Sequence, residues 1–301
     1  MKKIVVIGSV NQDISLTMRN LPSEGDTVIA QSIKYNGGGK GANQAVSLNR
    51  MGSNTTFICA VGNDENGTQL VDNLVKDGIH VIPIAKEDES TGFAIIAVDS
   101  SGKNNIIVYP GANYALNSED IMSLKEELQD ASYCVLQFEL QLPVIETVLE
   151  CCKSMNIPVV LNPAPYHPDF DLEWLKNVEY FIPNENEFCS LFDDKQDALN
   201  LDDIKERARK LCKQYDLKII VTLGSIGSVY IDQETDHFVA SYKVNAIDTT
   251  AAGDTYIGAF VSRIDCGDTV LDAMKFATKA SSLTVSTKGA QESIPYLKQM
   301  V

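Results

Sequence analysis

The stretch DTTAAGD (248–254) sets a carboxylate beside a small-residue opening of a helix. Backbone N–H groups at a helix start are unpaired and carry the positive end of the helix dipole, so Ala251, Ala252 and Gly253 can face anionic oxygens. Asp254 stands next to them, within reach of an attacking group. Anion donors beside a base suit phosphoryl transfer, in which the migrating group develops charge and the incoming hydroxyl loses a proton. A tight connection into a helix uses the same residue types, so the stretch alone leaves both readings open.

Other segments offer partners for such chemistry. In GSVNQD (8–13), Asn11, Gln12 and Asp13 follow an apolar run, where open α/β sheets bind ligands. An amide and a carboxylate there suit a polyol, whose hydroxyls donate to Asp and pair with Asn; an Asx-turn leaving the strand is the plain alternative. The stretch NGGGKGAN (36–43) spends four glycines in five residues, then continues into a helical pattern. Its Lys40 is followed by Gly41 rather than Ser or Thr, which rejects a P-loop. What remains is a tight turn or a backbone that lets a ligand approach, with Lys40 as cationic donor and Asn43 as amide. In PNENEF (183–188), Asn184 and Glu187 lie three apart at a helix start, for dipole compensation or for holding the waters of a Mg²⁺ ion. TLGSIG (222–227) joins two strands by a glycine turn, as a bare hairpin or as a surface for a nucleotide. No G-x-G-x-x-G follows the first strand, which argues against a nicotinamide dehydrogenase.

These residues need a scaffold that brings 11–43, 184–187 and 222–254 together. Val/Ile-rich runs at 3–7, 57–61, 133–138, 158–161, 180–182 and 217–223 read as buried parallel strands. Helical patterns at 67–77, 143–155 and 202–215 lie between them. The alternation predicts an α/β fold, a doubly wound and mostly parallel sheet with right-handed crossovers. Two stretches, 13–34 and 91–109, instead show alternating strands without an intervening helix and predict a small antiparallel β lid. The α/β body then comprises 1–12, 35–90 and 110–301. A lid beside the cleft would exclude water from the reaction.

Composition narrows the classes of function. The 301 residues carry 25 Lys and Arg against 41 Asp and Glu, a net charge of −16 that opposes binding to nucleic acid or anionic membrane. The apolar run after Lys2 and Lys3 ends within a few residues and reads as a strand, not a secretory signal, and no run approaches the length of a membrane span. Seven cysteines, with Cys151 and Cys152 adjacent, show neither metal spacing nor an even-numbered disulfide framework. His80, His167 and His237 lie far apart in sequence. The glycosylation-type triplets at Asn54 and Asn66 carry no meaning without secretion. A cytoplasmic location follows.

Taken in order, GSVNQD, GGGKGANQA (37–45), Gln137-Phe-Glu139, LNPAP (161–165), PNENE, TLGSIG, DTTAAGD and STKGAQES (286–293) resemble the PfkB carbohydrate kinase family, over essentially the full length. The pairing of the first two motifs resembles its ribokinase branch. The resemblance implies ATP-dependent phosphorylation of D-ribose at the 5-hydroxyl. It makes Asp254 the base, with the backbone of Ala251, Ala252 and Gly253 as the anion hole. The sugar site would comprise Asn11, Gln12, Asp13, Gly39, Lys40, Gly41, Ala42, Asn43 and Glu139. Asn184, Thr222, Leu223, Gly224, Ser225, Ile226, Gly227, Gly253 and Thr278 would face ATP, and Glu187 would order Mg²⁺ through water. A K⁺ site would draw on Asp248, Thr250, Thr284, Thr287, Gly289 and Ser293, and a homodimer would form through the lid. Three positions depart from the family. Ala251 stands where Gly is frequent, which requires a turn open to alanine; Ile257 stands where polar residues are frequent, and is expected to face the core; Thr278 replaces the His or Asn that flanks the nucleotide base. Deoxyribose, a ketohexose or a nucleoside are alternative acceptors. A sugar-sensing protein without turnover is an alternative of another class, and its expected signature, a damaged base or anion hole, is not seen.

Overall fold

The computed structural model describes residues 2–192 and 200–300. Nine strands form one sheet, in the order Asp236–Ala240, Gly227–Ile231, Lys218–Thr222, Tyr180–Phe181, Val159–Asn162, Ala131–Gln137, Lys3–Ile7, Asn54–Gly62 and His80–Lys86. From Lys218–Thr222 to His80–Lys86 every pairing is parallel, while the first two strands add antiparallel at one edge. The central strands are apolar throughout because both faces are covered. Within Lys3–Ile7, Val5 and Ile7 join one core with helices Leu142–Met155 and Leu201–Tyr215, while Ile4 and Val6 join the other. That second core holds helices Lys40–Arg50, Glu65–Lys76, Ala252–Asp265 and Val270–Val285. Helices on both faces make the sheet doubly wound.

The chain order reverses around Lys3–Ile7, whose neighbours are Asn54–Gly62 on one side and Ala131–Gln137 on the other. At such a reversal the connections leave toward opposite faces and open a crevice beyond the carboxyl ends of the strands. Asn11 and Glu139 follow the two strands that flank this crevice, and Asn162, Ile182 and Thr222 stand at the same ends of the next three. The sheet therefore gathers residues that are far apart in sequence.

A separate four-stranded sheet, Ser32–Gly38, Asn11–Thr17, Phe93–Val98 and Asn104–Tyr109, covers the crevice. Its outer pairings are antiparallel, and the two pairs meet through a parallel contact of Asn11–Thr17 with Phe93–Val98. The strands reach beyond the 13–34 segment because Asn11 and Gln12 pair with Gly38 and Gly37. Alternation divides the faces. Asp13, Ala94, Ile96, Ile106 and Val108 line the crevice, with Ile106 and Val108 still half exposed, whereas Ile33, Tyr35, Ile107 and Tyr109 lie on the opposite, exposed face.

Candidate active site

Asp254 lies in the first turn of Ala252–Asp265 and is 7% exposed. Its Oδ2 accepts from Asn43 Nδ2 at 3.0 Å and its Oδ1 from Gln44 Nε2 at 3.0 Å. The amides are held in turn: Gln137 Nε2 donates to Gln44 Oε1 at 2.7 Å, Gln44 Nε2 also reaches Asn162 Oδ1 at 3.3 Å, and Asn162 Nδ2 donates to Ile182 O at 2.8 Å. Close packing of two helices makes this possible. A Cβ on Gly258 would lie 2.5 Å from Ser47, so only glycine lets the helices approach there, and Ser47 Oγ donates to Thr255 O at 2.9 Å. The Asp254 carboxylate is thus fixed by neutral donors and keeps its remaining lone pairs toward the cavity.

Ala251, immediately before this helix, has φ 60° and ψ 6°. The expectation of a turn open to alanine therefore fails, because this is the left-handed region that glycine tolerates and a Cβ disfavours. Of the expected donors Ala251, Ala252 and Gly253, Ala252 N already donates to Thr249 O at 3.3 Å, and the turn instead leaves the N–H groups of Gly253 and Asp254 without acceptors in their own helix.

Asn11, Asp13, Lys40, Asn43, Glu139 and Asp254 line a cavity of about 400 Å³. Gly38 and Gly39 explain the glycine run. A Cβ on Gly38 would come within 2.3 Å of the Asp13 carboxylate, and Gly39, capping Lys40–Arg50, has φ 87°. Glu139 accepts from Lys40 N at 2.9 Å and from the Ser9 hydroxyl, which ties the helix start to the crevice. Burial lifts the Asp13 carboxyl to about 7, helped by Glu139, Glu292 and Asp254. Burial opposes the charge on Lys40, but Asp254, Glu139 and Glu187 outweigh it and hold its pKa above the ordinary value. Lys40 is the cation that these carboxylates share.

A second cavity, of about 610 Å³, adjoins the first; Asn184, Thr222, Thr249, Ala252 and Gly253 line both. Gly224, Ser225 and Gly227 of the hairpin form one of its walls, and Tyr242, Val244, Tyr256 and Val285 give it an apolar surface. Thr278 lines it too, with its hydroxyl turned to Met274 O at 2.8 Å. Between the cavities, Glu187 accepts from Asn184 N at 2.8 Å and Asn184 Nδ2 at 2.7 Å, and Asn184 Oδ1 accepts from Glu187 N. Burial raises the Glu187 pKa against the Asn184 N–H and Lys40, while Asp254 raises it further. A carboxylate and an amide oxygen at this junction fit an ion that keeps its own waters.

The residues named for a cation divide in two. Asp248 Oδ1 accepts from Thr250 N at 3.0 Å and Thr250 Oγ1 at 2.7 Å, and Asp248 Oδ2 accepts from Gly289 N at 3.0 Å. Burial works against this carboxylate, but those donors and Lys288 hold its pKa below the ordinary value. The hydroxyls of Thr284, Thr287 and Ser293 are turned to Thr255 Oγ1, Leu283 O and Ala290 O. The set offers only oxygen, as a hard cation would require, and no cluster of three or more His, Cys, Asp or Glu suited to a metal exists among the described residues.

Several residues named from sequence line neither cavity. Gln12 donates to Asn36 O, Ala42 is buried, and Gly41 packs against the backbone of Gly8 and Ser9. Leu223 is buried, and Ile226 points outward. Ile257 is buried as expected, yet also lines the smaller cavity. Gln44, Gln137, Asn162 and Thr249 were missed. Gln44 adjoins Asn43 and Thr249 lies inside DTTAAGD, so both stood beside residues already named from sequence.

A positioned carboxylate beside a helix start with free N–H groups, where a polar pocket meets a larger apolar one, is the arrangement that phosphoryl transfer to an alcohol requires. The chain belongs to the pfkB family of carbohydrate kinases, whose profile matches residues 1–297. It is similar to the ribokinase of Staphylococcus aureus, at 38% identity over 99% of this chain and 98% of that one. It is also similar to the deoxyribokinase of Salmonella typhi, at 36% identity over 98% and 96%. The structure of Arabidopsis thaliana ribokinase complexed with ribose and ATP superposes with a TM-score of 0.88, at 29% identity, over 99% of this chain and 97% of that one.

Proposed function

We propose that this chain is an ATP-dependent ribokinase that transfers the γ-phosphoryl group of ATP to the 5-hydroxyl of D-ribose. The observation that carries the reading is Asp254 at the junction of the two cavities, beside the helix start that both share. The sugar occupies the smaller cavity, where Asp13 and Glu139 accept from its hydroxyls and Asn11 and Asn43 add amides. Its primary hydroxyl faces Asp254, which accepts the proton as the oxygen attacks. The N–H groups of Gly253 and Asp254 receive the charge that develops on the migrating group, and Lys40 adds a cation. The small sheet, with Ala94, Ile96, Ile106 and Val108 over the cavity, keeps out water that would otherwise compete as acceptor.

ATP lies in the larger cavity, between the glycine hairpin and the apolar wall. Mg²⁺ on Glu187 and Asn184 through water would shield phosphate charge. K⁺ near Asp248, Thr250 and Gly289 would steady the loop before Ala252. The exposed face of Ile33, Tyr35, Ile107 and Tyr109 favours a homodimer joined through the small sheets. All seven cysteines are free and no helix among the described residues is long and apolar enough to cross a membrane, which suits a cytoplasmic enzyme.

The test is Asp254→Asn, which keeps the shape and removes the base. With ribose, ATP, Mg²⁺ and K⁺, kcat should fall by about 10²–10⁴ while the sugar KM and melting temperature change little. An Asn variant with undiminished kcat refutes the assignment. The similarity to a deoxyribokinase supports a second reading, in which 2-deoxyribose is the acceptor. Comparing kcat/KM for the two sugars decides between them.

A further inference from the structure

Asn113 is 1% exposed and lies outside the cavity lining, yet it meets four polar groups. Its Oδ1 accepts from Val10 N at 3.0 Å. Its Nδ2 donates to Val10 O at 3.2 Å, Pro110 O at 3.0 Å and Asn11 Oδ1 at 2.8 Å. The orientation of both amides follows from the backbone. Val10 N–H can only donate, so the Asn113 atom facing it must be the oxygen. Its nitrogen then faces three oxygens, and the Asn11 atom that meets it must be an acceptor. Asn11, 4% exposed, therefore turns its Oδ1 to Asn113 and its Nδ2 away; that nitrogen has no partner among the described residues, and Asn11 lines the smaller cavity. Packing at Gly92 reinforces the arrangement, since a Cβ there would fall 2.4 Å from both Asn11 Oδ1 and Asn113 Nδ2.

We infer that Asn113 is a positioning residue that fixes Asn11 as a hydrogen-bond donor to an oxygen of the acceptor sugar. This rests on the smaller cavity being the sugar site. The relay also joins the site to the small sheet, because Val10 and Asn11 lie where the chain enters that sheet and Pro110 where it leaves. The sheet and the specificity of the pocket thus share one anchor. An acceptor lacking an oxygen at that point leaves a buried donor unpaired, which is the condition for strong rejection.

The experiment is a double-mutant cycle with Asn11→Ala and Asn113→Asp. It uses whichever of ribose, 2-deoxyribose and fructose gives the highest wild-type kcat/KM. Asn113→Asp keeps the acceptor for Val10 N and removes the donor that orients Asn11. Each single variant should raise the sugar KM about tenfold or more, with the ATP KM within about twofold, and the double variant should be no worse than Asn11→Ala alone. Multiplying losses, or an ATP KM that rises with the sugar KM, overturn the inference. Asn11→Asp guards against misfolding at position 113, because it keeps the oxygen that Asn113 requires and removes only the donor to the cavity. It should match Asn11→Ala, and a wild-type sugar KM in this variant also overturns the inference. Failure of the relay alone leaves wild-type turnover intact, whereas wild-type inactivity with all three sugars removes the ribokinase reading and the relay together.

Discussion

Gly38→Ala isolates the sugar side of the site. Gly38 does not need a left-handed backbone, so alanine can adopt its conformation without strain. The added Cβ would nevertheless lie 2.3 Å from Cγ, Oδ1 and Oδ2 of Asp13, well inside the 3.4–4 Å of ordinary contact. The short Asp13 side chain must give way by about an ångström, enough to break a hydrogen bond to a sugar hydroxyl. A hydrogen bond to a charged group contributes about 1.5–3 kcal/mol, so sugar kcat/KM should fall by a factor of about 10–150. Initial rates of ADP release over a grid of ribose and ATP concentrations separate the two substrates. The loss should fall on the sugar KM, with the ATP KM within about twofold, because Gly38 and Asp13 do not line the larger cavity. An unchanged sugar kcat/KM would show that the Asp13 position is not what binds the sugar. A matching rise in the ATP KM would place the damage outside the sugar site.

Four further outcomes follow from the same geometry. The Asp13 carboxyl sits near 7, so its ionised form is lost as pH falls, and the sugar KM should rise up to about tenfold per pH unit below 7, with a flatter profile in Asp13→Asn. Because the folded pKa lies above the ordinary value of 3.8, the native state holds the proton more tightly: Asp13→Asn should gain stability over wild type at pH 8, a gain that should shrink toward pH 4 in melting curves. Gln44→Leu removes one charge-assisted bond from Asp254 and strands Gln137 Nε2, so kcat should fall about tenfold to a hundredfold with both KM values within about threefold; an unchanged kcat would deny Gln44 its role. Ala251→Gly relieves a left-handed alanine, and its melting temperature should rise by about 1–3 °C, since relief of roughly 1–2 kcal/mol exceeds the added chain entropy of glycine; a fall would place the strain elsewhere.

What could be read from the sequence shares one physical property, that the demand is local. Continuous apolar runs mark strands covered on both faces, and Lys3–Ile7 and Lys218–Thr222 were legible for that reason. His80–Lys86 was not: as an edge strand it alternates in exposure and includes Pro83, so its pattern resembles a loop. The glycines of NGGGKGAN were legible as a backbone requirement, though not which contact each one serves. Only the structure separates Gly38, which clears Asp13, from Gly41, which packs against Gly8 and Ser9.

The amide network left almost no local trace. Gln44 meets Asp254 across 210 residues and Gln137 across 93, and Asn113 meets Asn11 across 102. A buried amide has the same letter whether it caps a turn or aims a catalytic group, and its partner is decided by the fold. Charge cannot replace it here. Glu139, Asp254 and Glu187 already converge on Lys40, and a further lysine or arginine beside Asp254 would form an ion pair and draw the carboxylate away from the cavity. Neutral donors fix direction without capturing the charge. The groups proposed to do the chemistry therefore stand in local motifs, while the amides that hold them became visible only when the sheet brought distant residues into contact.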